Sequence, residues 1–211
     1  MIKALEFLNN EQMADPILHM RHAAQHNPAL NEDIARICSI VLDNPYFAVC
    51  TGSVSANKHH FGKGGLALHT REVMLLCMRN AQAFGAWGYK INKQVLFTSA
   101  VWHDYGKIWD YAPILYSKED VITEATGWQE TPHKRRVNHL CRSAVEWTRA
   151  VTMLDICHDI HDEVLHCILA HHGDYGSPVF PKSREAWILH LSDNMSARVN
   201  DCDFLDLSER K

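Results

Sequence analysis

Seven residues of this chain stand out as candidate metal ligands: His69, His103, Asp104, His139, His171, His172 and Asp193. Histidine is abundant, with 15 in 211 residues. Neutral imidazole is the commonest metal ligand in proteins. In SAVWHDYGKIWD, residues 99–110, an imidazole and a carboxylate stand side by side after a run that reads as the inside of a helix. A buried carboxylate is costly unless something compensates it. Divalent cations would compensate Asp104 and Asp193 if several neutral imidazoles converged with them. Such nitrogen and oxygen donors suit manganese, iron, cobalt, nickel or zinc, with magnesium also open. Taken singly, each histidine reads as a hydrogen-bonded core residue; the joint pattern carries the metal reading.

Elements must aim these side chains at one point. Apolar residues recur mostly at spacings of three and four, which predicts helices and almost no strand. The helices expected cover 10–24, 30–43, 65–84, 92–108, 135–154, 160–172 and 183–199. Asn31 caps the second, and Ser183 opens the last. Gly62, Gly64 and Gly65 give the third a permissive entry. A loop is expected at 110–134, with VITEA (121–125) as a short hairpin arm, and another at 173–181. On these helices His69 shares a face with Leu66 and Val73, and His103 with Leu96 and Ala100. His171 and His172 end a helix carrying Val164 and Ile168. Asp193 follows Leu189, and His139 precedes Ala144 and Trp147. Five helices thus send a ligand inward. His158-Asp159 and His161-Asp162 read instead as a solvated helix start, where Asp suits the dipole.

The totals narrow the class. A formal net charge of −4 excludes a wide basic face for nucleic acid. Seven cysteines without a C-x-x-C pair read as free thiols in a reducing compartment. No signal peptide opens the chain and no apolar run is long enough to span a membrane, so a cytoplasmic protein is expected. HDEVLH is not H-E-x-x-H, and neither a P-loop nor G-x-S-x-G occurs.

The order His69, His103-Asp104, His139, His171-His172, Asp193 resembles the HD-domain metal-dependent phosphohydrolase superfamily. NKHHFGKGGLALHTREV, AVWHDYGKI and ILAHHGDYGSPVFPKSREAWILHLSDNMSAR are most similar to the HD domain of YhaM-type 3′–5′ exoribonucleases; some integrative-element relaxases are similar too. The likeness covers about residues 57–200. It implies an all-α fold, a single HD-domain helical bundle with the metal site at its centre. Residues 1–56 are expected as a helical extension packed on that core, where the YhaM branch carries an OB-fold, and 201–211 as a tail. Asn138-His139 stands where that branch usually has Gly-His. The resemblance implies two divalent cations. One would be held by His69, His103, Asp104 and Asp193, the other by Asp104, His139, His171 and His172, with Asp104 bridging.

The activity implied is hydrolysis of a phosphoester in a nucleotide or short nucleic acid by metal-activated water. A 3′–5′ exonuclease on single-stranded RNA or DNA is the first alternative. A non-catalytic nucleotide- or partner-binding module with structural metal is the second. Asp104, Lys107 and His60 are the candidate catalytic residues: Lys107 for phosphate charge, His60 as proton donor or phosphate contact. Lys107, Arg142 and Arg136 are candidate substrate contacts. His59 reads as structural. Tyr105, Trp109, Tyr111 and Trp128 could stack a base but read first as packing.

Overall fold

The computed structural model describes residues 15–56, 58–115 and 126–202, with side chains to 199. The three-and-four spacing produces helices, and polar caps set where they begin. Asp15 accepts from the N–H groups of Ile17 and Leu18 at the start of α1, Pro16–His26. Asn31 accepts from Ile34 N–H at 3.1 Å and opens α2, Glu32–Leu42. A short α3, Pro45–Val49, leads to a loop and then to α4, Gly65–Ala86. Gly62 and Gly64 lie at φ +98° and +76°, a left-handed entry that glycine makes without strain.

The bundle is built around α5, Lys93–Trp102. Every residue from Val95 to Trp102 is buried, because α2, α4, α9 (His161–Ala170) and α10 (Arg184–Cys202) all pack on it. Trp102 meets Trp147 of α8 (Asn138–Leu154) edge to face at 5.7 Å. Both are fully buried, and truncating either to alanine costs about 3–5 kcal/mol. α1 packs on α2 and α4, and α8 on α9. Ser183 Oγ accepts from Ala186 N–H at 3.2 Å at the start of α10.

Three expectations change. The helix expected at 92–108 stops at Trp102; a turn carries His103–Gly106, and one further turn, α6, follows at Lys107–Asp110. The close approach of α8 requires that break. A Cβ on Gly106 would lie 2.4 Å from the His139 carbonyl oxygen. The helix expected at 135–154 is two: α7, Pro132–Arg136, and α8, separated at Val137 with Asn138 at φ +58°. The span read as loop contains β1, Tyr111–Ile114, paired antiparallel with β2, Gly127–Glu130, in the register Tyr111↔Glu130. Neither four-residue strand alternates buried and exposed positions, so no strand period shows in the sequence. VITEA lies outside the described residues. So do 1–14 and 203–211, and therefore the start of the first expected helix and most of the expected tail. Among the described residues no helix is long and apolar enough to cross a membrane.

Candidate metal centre

Five elements meet at one buried point. The second turn of α4 supplies His69. The C-terminal end of α5 and the turn after it supply His103 and Asp104. The start of α8 supplies His139, the turn ending α9 supplies His171 and His172, and the middle of α10 supplies Asp193. These are the seven residues the sequence put forward as ligands. The adjacent pair His103-Asp104 acts at a helix end, where the chain turns, rather than along a continuous helix.

Asp104 divides the group in two. Its Oδ2 lies 3.4 Å from His69 Nε2 and 3.4 Å from His103 Nε2. Its Oδ1 lies 3.6 Å from His139 Nε2 and 3.6 Å from His171 Nε2. Asp193 Oδ1 joins the first side, 3.0 Å from His69 Nε2. His172 joins the second, its Nε2 3.2 Å from that of His139. Ligand atoms of His69, His103 and Asp193 form one compact set, and those of Asp104, His139, His171 and His172 form another.

The other ring nitrogen of four imidazoles is held from behind. His103 Nδ1 donates to the Ala100 carbonyl at 2.8 Å and His171 Nδ1 to the Ile168 carbonyl at 2.7 Å. His139 Nδ1 faces Asp110 Oδ2 at 3.0 Å, and His69 Nδ1 faces Ser196 Oγ at 3.1 Å. Ser196 in turn donates to Glu72 at 2.9 Å. Placing the proton on Nδ1 leaves Nε2 as a bare lone pair aimed at the centre. The bare Nε2 atoms of His69 and His103 then face each other at 3.4 Å. Both oxygens of Asp104 and Nε2 of His171 are buried without a hydrogen-bond partner. Lys107 Nζ lies 2.6 Å from Asp104 Oδ2, but as an ion pair whose angles fall short of a hydrogen bond. Orphaned acceptors converging from nitrogen and oxygen are what divalent transition cations would satisfy.

The electrostatics agree. Burial opposes ionisation of Asp104, but Lys107 and His103 outweigh it and hold the carboxyl well below its usual range. Asp193 is likewise buried, yet His69 holds it low. Burial disfavours a charged His69, but Asp104 and Asp193 more than offset this and raise it to about 9. A proton on Nε2 is one answer to two carboxylates; a cation is the other. Burial, with His171 and His139 close by, drops His172 to about 2, which keeps it a neutral donor.

One face of the centre opens. His139, His172 and Asp193 line a cavity of about 410 Å³ together with Lys107. That volume suits a small-molecule ligand. His60 does not line it. Its ring is buried behind His59, with Nε2 2.9 Å from Glu72 and Nδ1 3.0 Å from His59 Nδ1. His59, read as structural, lines the cavity instead. Arg142 and Arg136 are not brought there either. Arg142 pairs with Glu146 at 3.1 Å and donates to His133 at 3.2 Å, over the Trp109 ring. Arg136 lines a separate groove with Glu130 and Arg135. Tyr105 and Trp128 are packed into the core, whereas Tyr111 reaches the cavity.

Sequence reasoning missed Asp110, which is fully buried and accepts from His139 N–H at 3.1 Å and faces His133 Nδ1 at 2.7 Å as well. Burial opposes its ionisation, but His139 and His133 hold it low. It also missed Ser196 and Glu72. These residues stand behind the inward-facing histidines, and no spacing marks such a place.

A family model described as "HD domain" matches residues 66–198. Among curated proteins, the 3′-5′ exoribonuclease YhaM of Shouchella clausii is 28% identical over 183 residues, covering 84% of this chain and 50% of that protein. The dihydroneopterin 2′,3′-cyclic phosphate phosphodiesterase of Methanocaldococcus jannaschii is 29% identical over 148 residues, covering 70% of this chain and 52% of that protein. YhaM of Bacillus subtilis is 27% identical, with 82% and 51% covered. The chain spans about half the length of these relatives. No solved structure gives a significant match.

Proposed function

The chain belongs to the HD domain family, and from that premise we propose that it is a metal-dependent phosphohydrolase cleaving a phosphoester of a nucleotide or short nucleic acid. The observation that carries the reading is the division of Asp104, with Oδ2 turned to His69 and His103 and Oδ1 to His139 and His171. His69, His103, Asp104 and Asp193 would hold one divalent cation, and Asp104, His139, His171 and His172 a second. Such a pair would act as Lewis acids on phosphoryl oxygens and make water a nucleophile at neutral pH.

The chain's own residues do the rest. Burial disfavours the charge of Lys107, but Asp104 more than offsets it and keeps the ammonium protonated. From the cavity floor, Lys107 stabilises negative charge growing on the phosphoryl group. Asp110 and Ser196 hold His139 and His69 in orientation. His59 rather than His60 reaches the substrate space.

A structural metal site would be closed; this one meets a cavity, which favours catalysis over a binding module. The names of the relatives favour phosphodiester substrates, and the exoribonucleases among them support strand cleavage as the second reading. Free buried thiols fit a cytoplasmic setting.

The test is a hydrolysis screen with Mn²⁺, Fe²⁺, Co²⁺, Ni²⁺, Zn²⁺ and Mg²⁺ in turn. Bis(p-nitrophenyl) phosphate, 2′,3′-cyclic nucleotides, cyclic dinucleotides, single-stranded RNA and single-stranded DNA are compared. We expect turnover that chelation abolishes and Asp104→Asn reduces by at least about a hundredfold. No turnover of any substrate with any of the metals would overturn the proposal.

A further inference from the structure

The cavity before the metal centre holds more positive charge than one phosphate needs. Lys107 is balanced by Asp104 at 2.6 Å, and Lys134, which lines the same cavity, by Glu130 at 2.6 Å. Lys58 and Arg198 also line the cavity. Both are exposed, and among the described residues neither forms an ion pair. They come from separate elements, Lys58 from the loop before α4 and Arg198 from α10. The chain as a whole carries a formal charge of −4, so the pair is not part of a generally basic surface.

An aromatic ring stands at the same rim. Tyr175 is 73% exposed, follows His172 in the turn after α9, and stacks on no other ring among the described residues. It lies between Gly173 at φ +56° and Gly176 at φ +90°. The Tyr111 ring, by contrast, is covered by Lys134 Nζ, 4.9 Å from its centroid.

We propose that Lys58, Arg198 and Tyr175 form a subsite for a second nucleotide, Lys58 and Arg198 taking its phosphate and Tyr175 stacking its base. The substrate class is then a short oligonucleotide rather than a mononucleotide. Free cations track a nucleic-acid backbone, and an exposed aromatic accepts any base on its face. The inference rests on the phosphodiesterase reading, which places the scissile phosphate at the Asp104 centre. Water adds there to phosphorus, the P–O bond to the neighbouring nucleoside breaks, and the departing oxygen takes the proton.

The experiment compares a 5′-phosphorylated dinucleotide with the same dinucleotide lacking that phosphate, and both with bis(p-nitrophenyl) phosphate, on the metal-loaded full chain. We expect the wild type to prefer the phosphorylated dinucleotide by about tenfold in kcat/KM, chiefly through KM, with the preference fading as salt rises. In the Lys58→Ala, Arg198→Ala double variant the ratio should fall towards one. A partly misfolded sample lowers both rates and leaves the ratio alone. Tyr175→Ala should raise KM for both dinucleotides by about tenfold and leave their ratio intact. No preference in the wild type, or one that survives in the double variant, overturns the subsite. Failure to hydrolyse even bis(p-nitrophenyl) phosphate overturns the phosphodiesterase reading instead. Calorimetric binding of the two dinucleotides then decides the subsite: equal affinities reject it, and a tenfold difference lost in the double variant supports it.

Discussion

Asp110 does not line the cavity before the centre, yet it holds the ring of His139. One oxygen faces His139 Nδ1 at 3.0 Å while accepting the His139 backbone N–H at 3.1 Å. A carboxylate behind a ligating histidine sets its tautomer and raises its basicity, and losing such a partner typically weakens metal binding by about 10- to 100-fold. Asp110→Asn should therefore weaken the site of His139, His171 and His172 by that amount and leave the site of His69, His103 and Asp193 near wild-type affinity. Titration with Mn²⁺, read by calorimetry, resolves the two. Equal weakening of both sites would show that Asp110 supports the fold rather than His139. At this scale the sequence was legible for the residues that converge on the centre and mute for those that stand behind them. His103, Asp104 and Asp193 stand out because polar groups interrupt apolar helices. Asp110 closes the KIWD turn and Ser196 sits among the small residues of α10, and neither position looks unusual until the fold brings a histidine to it. The same limit explains His59 and His60. Adjacent histidines in a loop have no helical period to say which one faces inward, and the left-handed backbone of His60, at φ +56°, turns its ring behind the other.

Among the elements, the junction between α7 and α8 is where a ligand's position depends on backbone handedness. Asn138 adopts φ +58°, a region that costs most side chains about 1–2 kcal/mol and that glycine and asparagine tolerate. Its side chain also accepts the Cys141 N–H at 3.2 Å, closing the first turn of α8. Glycine, which the resemblance led one to expect here, would keep the handedness and lose the cap. Asn138→Gly should therefore change stability by less than about 1 kcal/mol. Asn138→Ala loses the cap and pays the strain, and should cost about 1–3 kcal/mol by urea denaturation. Equal stabilities for the two variants would mean that the conformation stores no strain. The long helices α4 and α10 were readable because their apolar spacing is sustained and their starts are marked. The breaks at His103–Gly106 and Val137–Asn138 were not, because they answer to close approach across the bundle: Gly106 against the His139 carbonyl. Pattern also left the facing of α10 open. Trp187, Leu191 and Met195 are 40%, 55% and 48% exposed on its outer side, while Ala186 and Leu189 are fully buried.

For the whole molecule, the centre ties together segments far apart in the chain, from His69 on α4 to Asp193 on α10. In the unfolded chain these residues are scattered, so cations held by them would bind the native state almost alone. Each site at a free metal concentration of 100 times its Kd then adds about 2.7 kcal/mol to stability. For a domain of this size, each kcal/mol moves the melting temperature by about 2–4 °C. Two loaded sites should raise it by roughly 10–20 °C. Without cations, Lys107 and a proton on His69 compensate the buried carboxylates only in part, and Asp104 Oδ1 and His171 Nε2 keep no hydrogen-bond partner. Chelation should therefore lower the melting temperature by that interval, and added Mn²⁺ should restore it. In Asp104→Asn the response should shrink to a fraction of the wild-type value, because the residue that faces both sites has lost its charge. Differential scanning calorimetry with metal content measured on the same samples makes the comparison. If the seven residues were an ordinary hydrogen-bonded core, chelator would leave the transition where it was. A fully metal-loaded protein whose melting temperature moves by less than about 2 °C on chelation would show the cations bound but not coupled to the fold, and the shared role of Asp104 would have to be given up.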